Sequence, residues 1–251
     1  MCRHLLWLGE SVTLSALLLD PPHSLLRQSW APRDMRGAGT INVDGFGVGW
    51  YQGDTPVRYR RDCPMWQDEN FGRLAEVTSS PAVLAATRSA TPGMPLVETA
   101  SAPFTDEQWL FSLNGVVVGW PDSVLKLAER LPVRDLLTMD APSDSAFVWA
   151  LLRDQLRTGV SPAEAVIETV AELASAAPGS RLNLMLTDGV TGVASAMGHA
   201  LSIRRDDAGV LIASEPVDSE PGWRVVPDGG LVTATATAVE ISRLPVGQGT
   251  G

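Results

Sequence analysis

The residues best suited to chemistry are few. Cys2 stands directly behind Met1 in MCRHLLWLGE and is one of only two cysteines. Loss of the initiator methionine leaves Cys2 carrying both a thiol, of pKa about 8.5, and an α-amine, of pKa about 7.7 to 8. A neutral amine on the same residue can accept the thiol proton, so nucleophile and base come together and no catalytic histidine is required elsewhere. Histidine is accordingly scarce, with only His4, His23 and His199 present. The plainer reading of Cys2 is a small buried residue that opens an N-terminal strand.

Three further segments carry useful groups. In AATRSATPG (85–93), a strand delivers Arg88 into a turn marked by Thr91, Pro92 and Gly93. A guanidinium fork there suits a carboxylate, with the Thr91 hydroxyl as a supplement; the alternative is a surface arginine on a hairpin. In FSLNGVVVGW (111–120), Asn114-Gly115 between apolar runs is a hairpin signal. The same pair offers a side-chain amide and a backbone N–H that can converge on one oxygen, as an oxyanion hole requires. In APSDSAFVWALL, Asp144 stands at a helix threshold, either as a cap or as a receptor for a substrate ammonium.

Elements must bring these groups together. Alternating or continuous β-type apolar character marks strands at 3–8, 46–51, 83–88, 109–114, 181–188, 210–215 and 231–242. Helical spacing marks 11–20, 122–131, 143–159 and 161–177, the last with a Ser161-Pro162 start, and Gly159 and Gly179 stand at helix stops. Strands precede and follow the helical block without regular βαβ alternation, which favours a layered α+β arrangement. One domain over residues 2–245 is the economical reading, with a disordered tail at 246–251. Gly45, Gly47 and Gly49 in DGFGVGWY alternate rather than forming a dinucleotide fingerprint. On one face of a strand they open room for a close neighbour or for substrate.

The formal net charge of -10 and pI near 4.7 exclude a nucleic-acid or anionic-membrane surface and leave small-molecule work. Arg58, Arg60 and Arg61 in VRYRRDC form too short a cluster for a nucleic-acid footprint and read as the solvent face of a strand. Charges and a glycine interrupt the N-terminal stretch, so it is not a signal peptide, and no apolar run reaches membrane-span length. A cytoplasmic protein is expected, with Cys63 a structural thiol. Without C-x-x-C or H-E-x-x-H spacing, no metal is expected.

Taken in order, Cys2 behind Met1, the T-R-x-A-T-x-G pattern of Thr87 to Gly93, Asn114-Gly115 and the S-D-S of Ser143 to Ser145 resemble the class II glutamine amidotransferases, an N-terminal-nucleophile (Ntn) hydrolase family. The resemblance covers nearly the whole chain. It implies a four-layer αββα sandwich with two antiparallel sheets, Cys2 as nucleophile with its own amine as base, and Asn114 with Gly115 as the oxyanion hole. It further implies Arg88 on the α-carboxylate of a glutamyl group, Asp144 on its α-amine, and neither a metal nor an organic cofactor. The chain departs from the family pattern at Ser89, Pro92, Ala100 and Leu113, which moves the expected substrate from free glutamine toward another γ-glutamyl compound. The segments DPPHSLLRQSWAPR, NVDGFGVGWY, SAPFTDEQWLFSLNG and VLIASEPVDSEPGW resemble the branch that works in ergothioneine biosynthesis. That branch implies hydrolysis of a γ-glutamyl amide with a cationic, trimethylammonium-bearing leaving side, for which Trp30, Trp50, Tyr51 and Trp223 are aromatic candidates. The rival readings are a glutaminase subunit serving a separate synthase and a binding domain without turnover. Oligomeric state is left open by the pattern.

Overall fold

The structure, a computed structural model, describes residues 2–34, 36 and 41–245. The expected tail at 246–251 and Met1 lie outside the described residues. Among the described residues the strands are β1 (Arg3–Thr13), β2 (Phe46–Gln52), β3 (Thr55–Arg61), β4 (Ser79–Thr87), β5 (Phe104–Asp106), β6 (Trp109–Val116), β7 (Arg181–Thr187), β8 (Gly192–Ala196), β9 (Ser202–Arg205), β10 (Gly209–Ala213), β11 (Arg224–Val225), β12 (Gly230–Ala234) and β13 (Val239–Arg243). The α-helices are α1 (Leu14–Leu18), α2 (Leu25–Gln28), α3 (Glu69–Val77), α4 (Leu125–Ala128), α5 (Val133–Leu137), α6 (Asp144–Arg157) and α7 (Pro162–Ala176).

Two sheets form, one in the order β11-β9-β10-β1-β4-β2-β3 and the other β13-β12-β8-β7-β6-β5. Every pairing within them is antiparallel. The side-chain period of two decides how they stack. From β1, Leu5 and Trp7 pack with Leu14, Leu18 and Phe71 of the helices on one side. Leu6 and Leu8 pack the other way, against Leu110, Met185 and Val232 of the second sheet. From β6 and β7, Phe111, Leu113, Leu182, Leu184 and Leu186 face Phe147, Leu151, Val166 and Val170 of α6 and α7. Three apolar layers therefore separate four layers of secondary structure, giving the expected αββα sandwich.

The long helices follow their signals. Ser143 Oγ accepts the Ala146 N–H at 3.3 Å to cap α6, and Ser161 Oγ accepts the Glu164 N–H at 3.4 Å to cap α7, whose first residue is Pro162. Other expectations are corrected. The segment 11–20 is not one helix: β1 runs on through Val12 and Thr13, which pair with Ser80 and Ser79, and only Leu14–Leu18 is helical. Ladder pairing outweighs local helical spacing there. In 122–131 a 3-10 turn and the single turn of α4 replace the helix; no side chain caps α4 and Leu125 stays exposed, so little burial supports a longer one. The run 231–242 folds back as a hairpin between β12 and β13, where the Thr235 hydroxyl accepts the Ala238 N–H at 3.2 Å.

One smaller reading changes, and the β2 glycines take the first of their two expected roles. Arg58 and Arg60 of β3 are not a solvent face, because both reach Asp140 at 3.3 Å and Arg60 also donates to the Thr99 carbonyl. The glycines of β2 make room for a neighbour: a Cβ on Gly47 would overlap the Ala102 carbonyl, and one on Gly49 would meet the Leu110 side chain.

Candidate active site

The Arg3–Thr87 pair ends the described ladder between β1 and β4, so one step further the chain sets Cys2 beside Arg88. Both residues line a small cavity with Thr87, Phe104, Leu113 and Ser145. The Cys2 thiol is half-buried and points at the Ser89 carbonyl across 3.8 Å, a weak contact that leaves the sulfur able to react. Arg88 is nearly buried at 9 % exposure, and its Nη1 donates to the Asp44 carbonyl at 3.4 Å. Asp44 in turn accepts the Ala90 N–H at 2.8 Å, tying down the backbone just beyond the arginine. No hairpin follows β4, so Arg88 is not the surface residue of the alternative reading.

Asp144 reaches this region from the first turn of α6. Ser143 takes the cap, which leaves the Asp144 carboxylate to accept the Val117 N–H at 3.0 Å and the Ser145 N–H at 2.8 Å. Burial pushes its carboxyl above the ordinary range, against the opposing pull of those N–H groups and of the Arg88 charge. The Arg88 charge is felt at the Asp144 carboxyl, and a cation and a carboxylate so placed fit the two ends of an amino acid.

Asn114-Gly115 is not a hairpin turn. Both residues lie inside β6, opposite Asn183 and Leu182 of β7. A Cβ at Gly115 would overlap the Arg181 carbonyl, so the strand pair approaches too closely there for any side chain. Asn114 is 1 % exposed; its Nδ2 donates to Ser214 Oγ at 3.3 Å and its Oδ1 has no hydrogen-bond partner among the described residues. That same Ser214 Oγ accepts the His4 N–H at 3.0 Å, which places Asn114 one hydroxyl away from the strand that carries Cys2.

Cys2 and Arg88 line the cavity itself, while Asp144 and Asn114 each adjoin a lining residue, Ser145 and Leu113. Thr91 stands apart, exposed in a turn closed by the Met94 N–H on its carbonyl at 3.0 Å. Of the aromatic candidates, Trp50 is buried in the layer beneath the outer helices, and the Tyr51 hydroxyl lies between the sheets, 2.7 and 2.9 Å from the Gln108 and Thr187 carbonyls. Trp223 lies under the Arg204 guanidinium and donates to Asp218 at 2.8 Å, and Trp30 meets Trp66 edge-on at 5.3 Å. None of the four lines the cavity with Cys2.

Sequence reasoning missed the polar groups around Cys2. Arg3, Glu215 and His23 form a buried ionic cluster, while His4 sits between the sheets with Nδ1 3.3 Å from Ser112 Oγ. Burial, with help from His199 and Arg3, lowers the His4 pKa to about 3. The imidazole nearest to Cys2 in sequence is thus too weak a base to take a thiol proton. A charged residue and a histidine immediately after the cysteine, within an otherwise apolar strand, were the available signal.

No protein-family model matches the sequence. Full-length relatives do. The γ-glutamyl-hercynylcysteine sulfoxide hydrolase of Mycobacterium tuberculosis is 39% identical over 249 residues, 99% of each chain, and that of Mycolicibacterium smegmatis is 40% identical over 245 residues, 97% of this chain and all of the relative. A probable glutamine amidotransferase of Saccharomyces cerevisiae is 29% identical over 93% of this chain and 81% of its own length. Among solved structures, a glutamine aminotransferase class-II domain protein from Silicibacter pomeroyi aligns with a TM-score of 0.70 at 22% identity, covering 97% of this chain and 99% of the other. The glutamine phosphoribosylpyrophosphate amidotransferase of Bacillus subtilis aligns with a TM-score of 0.67 at 13% identity, over 98% of this chain and half of that one. With near-complete mutual coverage at this level of identity, the chain belongs to the γ-glutamyl-hercynylcysteine sulfoxide hydrolase family, built on the class II glutamine amidotransferase fold.

Proposed function

We propose that the protein hydrolyses the γ-glutamyl amide bond of γ-glutamyl-hercynylcysteine sulfoxide, releasing glutamate and hercynylcysteine sulfoxide in ergothioneine biosynthesis. Residues 2–245 act as one class II glutamine amidotransferase-type domain in the cytoplasm. The observation that carries the reading is a half-buried thiol and a nearly buried arginine lining one small cavity, with the buried Asp144 carboxylate directly beside the lining residue Ser145.

In this reading Met1 is removed and the freed α-amine of Cys2 takes the thiol proton. Arg88 grips the α-carboxylate of the glutamyl group with its fork, and Asp144 receives the α-ammonium. The thiolate attacks the γ-carbonyl carbon, and the oxyanion is held by the Asn114 side-chain amide and the Gly115 N–H. The protonated amine then gives its proton to the departing nitrogen as the C–N bond breaks. Water, deprotonated by the same amine, cleaves the thioester and frees glutamate. The neutral, strongly depressed imidazole of His4 supports the choice of the amine as base. Ala100 and Leu113, where the chain departs from the pattern of its family, both line the cavity and give it apolar walls.

The test compares turnover of γ-glutamyl-hercynylcysteine sulfoxide with that of free glutamine, alongside intact-mass analysis of the same sample. Faster release of glutamate from the conjugate, by protein lacking Met1, is expected. Faster turnover of glutamine would instead favour a glutaminase that supplies ammonia to a separate synthase. Full activity with Met1 retained would remove the amine from the mechanism.

A further inference from the structure

Directly after β10 stand Ser214 and Glu215, each about 1 to 2 % exposed. They stand in a bend, and their side chains contact different groups. Ser214 Oγ accepts the His4 N–H at 3.0 Å and the Asn114 Nδ2–H at 3.3 Å, and the Ser214 N–H donates to the His4 carbonyl at 3.0 Å. Glu215 Oε1 takes Arg3 Nε at 2.9 Å and Nη2 at 2.8 Å, while its Oε2 takes His23 Nε2 at 2.7 Å and the Arg33 N–H at 2.8 Å. Arg3 then spends its remaining donors on backbone: Nη1 on the Cys2 carbonyl at 3.1 Å and Nη2 on the Asp34 carbonyl at 2.7 Å.

Burying a carboxylate and a guanidinium costs several kcal/mol, and apolar residues would fill the space more cheaply. Burial pushes the Glu215 carboxyl up, yet His23, the Arg33 N–H and Arg3 together hold it below the ordinary carboxylate range. The group is therefore ionised at neutral pH, and its four donors fix its place. What the cluster gains is geometry: of two adjacent residues, Glu215 holds the Arg3 that donates to the carbonyl behind the thiol, and Ser214 holds the Asn114 amide.

We infer that Ser214 and Glu215 are a single positioning element that sets the distance between nucleophile and oxyanion donor. Ser214 occupies one N–H of the Asn114 amide and so aims the other at the γ-carbonyl oxygen. Glu215 acts through Arg3 on the Cys2 carbonyl and so fixes where the sulfur stands. Neither touches substrate. This inference rests on the functional reading in which Cys2 attacks and Asn114 receives the oxyanion. A displacement of about 1 Å in such an arrangement is enough to cost about a hundredfold in rate.

The test uses the full chain with the γ-glutamyl-hercynylcysteine sulfoxide substrate. Ser214→Ala and Glu215→Gln should each lower kcat about tenfold to a hundredfold while KM changes less than threefold, because Arg88 and Asp144 are untouched. Ser214→Thr, which keeps the hydroxyl, should lose far less than Ser214→Ala. In an Asn114→Ala background the Ser214→Ala effect should vanish, since there is no amide left to aim. A substrate-free arm measures alkylation of Cys2 by iodoacetamide against Cys63 in the same molecule, and Glu215→Gln should change that ratio several-fold. Should Glu215→Gln not fold, Arg3→Lys serves in its place: it keeps a cation beside Glu215 but cannot also reach the Cys2 carbonyl. Unchanged kcat in these variants, a loss confined to KM, or full additivity of Ser214→Ala with Asn114→Ala overturns the inference. If the wild-type protein does not hydrolyse the conjugate, the functional reading falls, and the alkylation ratio still decides whether Glu215 positions Cys2.

Discussion

Acid should destabilise this protein well before its carboxylates titrate. His4 is fully buried and His199 nearly so, at 0 and 2 % exposure. Burial, with help from His199 and Arg3 at His4 and from Arg181 and Arg3 at His199, lowers their pKa values from 6.5 to about 3 and about 4. A histidine depressed in the fold stays neutral there, while the unfolded chain takes up a proton below pH 6.5. The stability tied to neutrality is thus complete above pH 6.5 and lost as pH falls toward the folded pKa. Between pH 7 and pH 5 each imidazole costs about 2 kcal/mol, at 1.36 kcal/mol for each pH unit below the unfolded pKa of 6.5. Together they remove about 4 kcal/mol, a large share of the roughly 5 to 15 kcal/mol that holds a domain folded. Glu215 adds its loss only below the ordinary carboxylate pKa, since its own is lowered; Asp144, raised by burial, opposes the trend at the acid end. Denaturant midpoints at pH 7 and pH 5 measure the effect, and His4→Gln should roughly halve the difference. Equal stability at the two pH values, or a His4 ring that titrates near 6.5 in the folded protein by NMR, would refute the reasoning.

Three further outcomes are expected. Cys2→Ala should abolish turnover with an unfolding temperature close to wild type, because a half-buried side chain at the end of β1 contributes little packing; residual turnover above a few per cent would move the nucleophile elsewhere. Arg88→Lys should raise KM by about tenfold or more through loss of the bidentate fork, with a smaller effect on kcat; an unchanged KM would take the carboxylate role from Arg88. Gly115→Ala should destabilise by about 2 kcal/mol or more and also depress kcat, since the added methyl overlaps the Arg181 carbonyl and must force β6 from β7; a variant as stable and active as wild type would mean that the two strands separate there without cost.

The elements legible in sequence were those with strong local signals. α6 and α7 carry caps and apolar periods of sufficient length, and they lie within a residue or two of the expected bounds. Strands of even parity were also readable, since Leu6 and Leu8 alternate with Leu5 and Trp7 whatever lies beyond them. Segments whose fate depends on a distant partner were not: 11–13 becomes strand only because Ser79 and Ser80 lie alongside, and 231–242 breaks only where the Thr235 hydroxyl captures its own turn. Among site residues, Cys2, Arg88 and Asp144 were legible as types that need partners. The partners Ser214 and Glu215 lie more than 200 residues from Cys2, and no local period announces them.

Asn114-Gly115 shows why local chemistry alone misleads at such a site. An Asn-Gly pair between apolar runs favours a two-residue hairpin, because both residues tolerate positive φ. Here the pair stays in the middle of a ladder, with Leu113 packed toward α6 and Asn114 turned between the sheets. The glycine is required for a different reason, the close approach of β7, and the asparagine is required at a buried position where its amide meets Ser214. Burying an amide there with one oxygen unpaired costs about 1 to 3 kcal/mol, and an apolar residue of that size would avoid it. A strand that gives up a turn signal and accepts an unpaired buried acceptor gains nothing in stability. In the proposed reaction the compensation is catalytic: the Asn114 amide and the Gly115 N–H serve as the oxyanion donors, a role that a better-packed apolar pair could not fill.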